Sequence, residues 1–250
     1  MPHYSITTLP NVPKGDGMNG IPLGLNNDPL HVFSIFKENN KLILHISGEI
    51  LGGLSTKKSY RNYHLVAKFK WGEKKFEPLL EKSRDNGILY HCSSNQGKEC
   101  NAWMNSIEFQ VKEKEMGDLY VLCKRHLVVP SKMDKDSQMV YVFKTESQSF
   151  GWGLPNGINR GRCKSMEHFE KPNGEWNTLE LICLENLSIH IVNGQVVNAV
   201  REVDDVVGDN NEKYKCEGKI QLQCEGAEAF YKDIKIREIS KIPYRFLKQF

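Results

Sequence analysis

Apolar and polar side chains alternate along this chain in short runs, and helical spacing is scarce. Eleven runs read as strands: Val32–Phe36, Lys41–Ile46, His64–Trp71, Gly87–Cys92, Ile107–Val111, Leu119–Cys123, Met139–Phe143, Thr178–Leu184, Ser188–Val192, Lys219–Cys224 and Phe230–Glu238. In His64–Lys70, Leu65, Ala67 and Phe69 share one face, and His64, Val66, Lys68 and Lys70 the other. The segment Ser106–Glu113 behaves likewise: Phe109 and Val111 face a core, while Glu108 and Gln110 share the opposite side. Only Phe76–Lys82 suggests a helical turn or two.

The connections carry turn chemistry. Asn193-Gly194, between Ile189–Val192 and Gln195–Val197, is the strongest hairpin signal, because a type I′ turn needs two residues tolerant of positive φ. Asn39-Asn40 and Glu185-Asn186 read as similar tight connections. Residues 1–27, rich in Pro, Gly and Asn, read as an extended arm, and residues 28–250 as one domain. Many short strands with regular turns define an all-β sandwich of two antiparallel sheets.

Composition narrows the function classes. The net charge is +3 over 250 residues, and the lysine pairs Lys57-Lys58 and Lys74-Lys75 are interleaved with acids or lie in turns. A nucleic-acid partner, which needs a concentrated basic face, is not expected. No run of about 18 apolar residues is present, so no membrane span is expected. The first 24 residues lack a basic start and an apolar stretch, and no signal peptide is expected in this chain. Seven cysteines leave at least one thiol unpaired within the chain. Cys123, Cys183 and Cys224 read as small buried hydrophobes, whereas Cys92 and Cys100 flank a polar loop and could pair in an oxidising compartment. Neither a C-x-x-C nor an H-x-x-x-H spacing occurs, so neither a metal nor any other cofactor is assigned.

Several motifs, in this order, carry a resemblance. They are Ser47-Gly48-Glu49 with Gly52–Thr56, Tyr60–Leu65 with Phe69–Gly72, Arg84–Cys92, and Glu108–Val111 with Gly117-Asp118. Glu170-Lys171-Pro172 with Gly174–Asn177, Val192-Asn193-Gly194, Gly218–Gln223 and Lys232-Asp233-Ile234 complete the set. Together they resemble the 3-keto-disaccharide hydrolase family, over about Asp28 to Ile239. The resemblance implies a concanavalin A-like jelly roll, a glycoside or oligosaccharide as partner, and an extracytoplasmic location for a processed fragment; it leaves the oligomeric state open. Two departures stand out: Lys114-Glu115 where a Gly-Asp pair is usual, and Lys232-Asp233 where Arg-Asn is frequent.

On this reading Glu108 lies mid-sheet on the concave face and acts as the base, with His91 as the other candidate. Gln110 binds sugar hydroxyls. The resemblance gathers Lys70, Arg84, Glu113 and Asp118 around one mouth, with Lys70 or Arg84 as donor to an oxyanion and Glu113 as acid. Trp71, Trp103 and Trp152 are candidate stacking faces for a pyranose, and Trp176 a structural plug in its turn. The implied reaction begins at a sugar with a ketone at C3: abstraction of the C2 proton, elimination of the C1 aglycone, then hydration. Two rival readings are direct hydrolysis by paired carboxylates, Glu108 with Glu113 or Asp118, and a carbohydrate-binding module without turnover.

Overall fold

A computed structural model describes residues 3–5 (backbone only), 23–77, 79–93, 95, 103–123, 125–152, 157–158, 161–202 and 216–249. Along the chain run β1 (His3–Ser5), β2 (Gly24–Leu25), β3 (Phe33–Glu38), β4 (Lys41–Ile46), β5 (Gly52–Ser55), β6 (Tyr63–Lys75), β7 (Gly87–Ser93), β8 (Asn105–Gln110) and β9 (Leu119–Leu122). Then follow β10 (Leu127–Met133), β11 (Met139–Tyr141), β12 (Ser147–Phe150), β13 (Arg162–Cys163), β14 (Asn177–Leu184), β15 (Leu187–Val192), β16 (Gln195–Glu202), β17 (Lys219–Cys224), β18 (Ala227–Glu238) and the single helical turn α1 (Tyr244–Leu247). All eleven expected runs are strands. Not among the expected runs are β5, β10 and β12, which carry Gly, Pro or Ser within them, the two-residue β13, and α1.

The strands form two sheets. One has the order β13-β9-β8-β7-β17-β5-β1-β2, the other β11-β10-β16-β15-β14-β6-β18-β4-β3, with β12 beside β10. Two pieces of the N-terminal arm, β1 and β2, thus complete the edge of the first sheet; residues 6–22 lie outside the described residues. Alternation decides what fills the space between the sheets. Leu65, Ala67, Phe69 and Trp71 of β6 meet Ile88 and Tyr90 of β7 and Ile107 and Phe109 of β8, all nearly inaccessible to solvent. At roughly 1.5–3 kcal/mol per fully buried large apolar side chain, this shared core holds the two sheets face to face.

The turns follow their sequence chemistry. Asn193 and Gly194 have φ of 50° and 86°, and Asn39 and Asn40 of 46° and 63°, so both hairpins use the conformation that these residues tolerate. Cys123 is disulfide-bonded rather than a plain hydrophobe, whereas Cys92 is a free buried thiol and does not pair across the 93–100 loop. Cys100 lies outside the described residues. Among the described residues no helix is long and apolar enough to cross a membrane.

Candidate active site

Register places one set of side chains on the outer face of the first sheet. Ser55, Gln221, Leu89, Glu108, Tyr120 and Arg162 are successive cross-strand partners on β5, β17, β7, β8, β9 and β13. Gly87 pairs with Gln110 and Gln223 with Gly53, forming a second row two residues away, about 6.6 Å along the strands. A third row begins with the bridge between Asp85 and Glu225. Lys112 continues it on the Glu108 side, its Nζ 3.8 Å from Asp85 Oδ2 and 3.2 Å from Glu115 Oε2. The face therefore carries amides and carboxyls over a glycine floor.

Gly87 is needed there. A Cβ on it would stand closer than 3.0 Å to both Glu108 Oε1 and Gln223 Oε1, so the two oxygens converge on the space that glycine leaves open. Gln223 Oε1 is buried with no hydrogen-bond partner, and no hydrogen bond from the described residues ties Glu108. An apolar wall of Leu51, Leu89, Cys92, Trp103 and Met104 closes one end of this face.

The electrostatics follow from packing acids into this space. Burial lifts the Glu108 carboxyl well above the usual carboxylate range; Asp85 lifts it further and Lys112 opposes. Burial takes Asp85 to about 7 against the pull of Lys112, with Glu115 adding to the rise. Glu225 is raised by burial and by both neighbouring acids. Three carboxyls in one place cannot all ionise near neutrality, so the cluster retains protons that isolated carboxylates would lose. Among the described residues no three His, Cys, Asp or Glu side chains are arranged to hold a metal ion.

The other candidates from the sequence divide. Gln110 lies on the same face as Glu108, its Oε1 accepting from the Val111 amide at 2.8 Å. His91 does not. It has φ of 49° and sits where the β7–β8 register slips, so the strand turns it into the sandwich. There it pairs with Glu202, whose other oxygen takes Arg125 at 3.1 Å. Burial alone would lower the imidazole; Glu202 outweighs it and raises His91 to about 10, a structural cation.

Arg84 and Glu113 oppose each other one residue out of phase with Glu108. Arg84 gives its amide to Glu113 at 2.8 Å and its guanidinium at 2.7 Å. Burial favours the neutral form of Glu113, but the Arg84 amide, Asn173 and the guanidinium outweigh it and hold the carboxyl below its ordinary value. It is a poor acid, and Arg84 is spent on it. Asp118 is fully buried and saturated by Arg162 (2.6 Å) and by the Ser165 amide and hydroxyl (2.8 Å each). Neither carboxylate is left to form a hydrolytic pair with Glu108.

Lys70 stands on the outer face of the other sheet, 5.1 Å from the Trp176 ring and 5.2 Å from that of Phe230. Trp176 is thus a surface partner for Lys70 and Lys232 rather than a plug. Trp71 packs edge-on against Phe69 in the core at 4.7 Å, and Trp103 is buried with its indole N–H on the Gly52 carbonyl. Neither is a stacking platform. Trp152, 52% exposed, lies over Gly161 beside β13 at the edge of the first sheet.

Buried carboxyls and amides thus share one sheet face of an all-β sandwich, and the comparisons say which family carries it. The family model described as the 3-keto-alpha-glucoside-1,2-lyase-like domain matches residues 27–237, and the chain belongs to that family. Membership supports a glycosidase-like function. No match was found among curated proteins. Among solved structures, two candidate glycosyl hydrolases from Parabacteroides distasonis ATCC 8503 are similar. One is 17% identical, with 84% of this chain and 91% of that chain covered and a TM-score of 0.48. The other is 16% identical, covering 84% and 85%, with a TM-score of 0.49. A carbohydrate-binding module from Bacillus subtilis is 7% identical, covering 82% and 92%, with a TM-score of 0.45.

Proposed function

We propose that the Glu108 face cleaves glycosides whose sugar carries a ketone at C3. The ketone acidifies the C2 proton, because the anion formed there delocalises as an enolate. Ionised Glu108 takes that proton; its raised pKa makes it a stronger base than an ordinary carboxylate. The C2–H electron pair moves to the ketone oxygen, where the nearby Lys112 ammonium offsets the developing charge. Collapse of the enolate breaks the C1–O bond. Asp85, near 7, gives its proton to the departing oxygen. Addition of water across the new double bond makes the net result hydrolysis. Gln110 and Gln223 supply amide contacts for hydroxyls.

One observation carries this reading: Glu108 is a buried carboxyl with a raised pKa and no hydrogen-bond partner among the described residues, in a chain of this family. The test is release of a chromogenic aglycone from a 3-keto-glucoside. The wild type is expected to release it, and Glu108→Gln to lose roughly 10² to 10⁴ in rate while still binding the sugar. Binding by the wild type with no release would leave a carbohydrate-binding module instead.

A further inference from the structure

The outer face of the second sheet carries chemistry that the Glu108 site does not use. Ser34 on β3, His45 on β4 and Glu228 on β18 sit on three adjacent strands. Ser34 Oγ lies 3.3 Å from His45 Nδ1, and His45 Nε2 lies 3.0 Å from Glu228 Oε1. With Nε2–H donated to Glu228, Nδ1 is left as the acceptor for the Ser34 hydroxyl. These are the relations of a nucleophile, a base and an orienting acid.

The relay is held in place. Glu228 Oε2 accepts from the Glu73 amide at 3.1 Å, and a Cβ on Gly72 would stand closer than 3.0 Å to that same oxygen. The His45 ring stacks on Phe230 at 5.1 Å and 22°. Ser34 is half-buried and His45 is 22% exposed, so a small substrate can reach them. Strand β3 is the edge of its sheet. Its Phe33 amide turns away from β4 onto Asp28 Oδ2 at 3.0 Å, and by strand alternation the Ile35 amide points the same way. That amide follows the serine in sequence and is not used by β4, which leaves it as the backbone donor available to an oxyanion. Phe36, exposed on the Ser34 side of β3 and edge-on to Phe230 at 6.2 Å, offers an apolar surface to an acyl chain.

We infer that Ser34, His45 and Glu228 form a second reactive site, hydrolysing carboxylic esters of short acyl chains. Ser34 Oγ attacks the acyl carbon while its proton passes to His45. The ester C–O bond breaks, and the alcohol leaves with that proton. Water then cleaves the acyl–Ser34 ester by the same relay, and the serine is restored.

The experiment uses the full chain and p-nitrophenyl acetate. Hydrolysis above the buffer rate is expected, with a single acetyl group on the Ser34 peptide after acid quenching. Ser34→Ala and His45→Asn are each expected to lose about 100-fold or more with an unchanged thermal midpoint. A fluorophosphonate probe should attach to Ser34 with loss of fluoride, and not to the Ser34→Ala variant. Hydrolysis at the buffer rate, hydrolysis undiminished in Ser34→Ala, or an acetyl group recovered on lysine would each overturn the inference.

Discussion

Replacing Asp85 by Asn separates the fold from the reaction most sharply. Burial raises this carboxyl from 3.8 to about 7, so between those values the folded chain holds a proton that the unfolded chain releases. A folded pKa raised this way leaves stability intact below about pH 4 and removes it progressively as the pH climbs to about 7. At about 1.4 kcal/mol per tenfold, the separation amounts to roughly 4 kcal/mol above pH 7. The substitution removes that cost. Part of the gain is returned, because Lys112 loses its ion pair with Asp85 and an amide must find donors and acceptors in a tight space. The net expectation is a variant about 1–3 kcal/mol more stable at pH 8 and no more stable near pH 4. For a chain of this size that is roughly 3–9 °C in thermal midpoint. Urea unfolding at several pH values, alongside aglycone release, makes the comparison. Turnover should fall by at least tenfold while stability rises, since the proton returned to the leaving group is gone. A variant that is no more stable than wild type at pH 8, or whose gain does not grow with pH, refutes the placement of this acid in a crowded cluster.

Other substitutions test separate parts of the account. Gly87→Ala pushes on Glu108 and Gln223 at once; both are flexible side-chain ends, so a loss of only about 1 kcal/mol in urea titration should accompany a drop of tenfold or more in turnover. Glu202→Gln leaves His91 and Arg125 as buried cations with a weakened partner, and unfolding experiments should show a loss of about 3–5 kcal/mol. Gly194→Val sets its Cβ in open space but must hold φ near 86°, which predicts a loss of about 1–3 kcal/mol with turnover unchanged.

Much of the sandwich was legible from period-two alternation, because Leu65, Ala67 and Phe69 must be buried together or not at all. Glu108 and Gln110 were legible for the same reason, whereas Glu113, expected as the acid, has the opposite strand parity and is held by Arg84 instead. Alternation failed at His91, where a bulge turns one residue against its strand's phase. Asp85, Lys112, Gln223 and Glu225 join Glu108 only through the pairing of β7 with β8 and β17, and nothing in their local sequence announces that register. Asp85 was at least within reach, since it precedes the Asn86-Gly87 start of β7. Trp71 and Trp103 show the converse: beside polar motifs an aromatic residue looks like a ligand surface, yet the apolar area of Trp71 fills the core and that of Trp103 the small cluster with Leu51, Leu89 and Met104. Lys70 fell on the opposite sheet because β6 belongs to the other layer, which strand order alone decides.

The central claim is proton abstraction at C2 by Glu108, and isotope exchange reads it directly. A 3-keto-glucoside is incubated with the protein in deuterium oxide, and the released sugar is analysed at C2 by NMR or mass spectrometry. The account predicts aglycone release with deuterium at C2 in the wild type, and neither above the spontaneous rate with Glu108→Gln. Release of a sugar that keeps its original C2 hydrogen, or equal release by the two proteins, would contradict it.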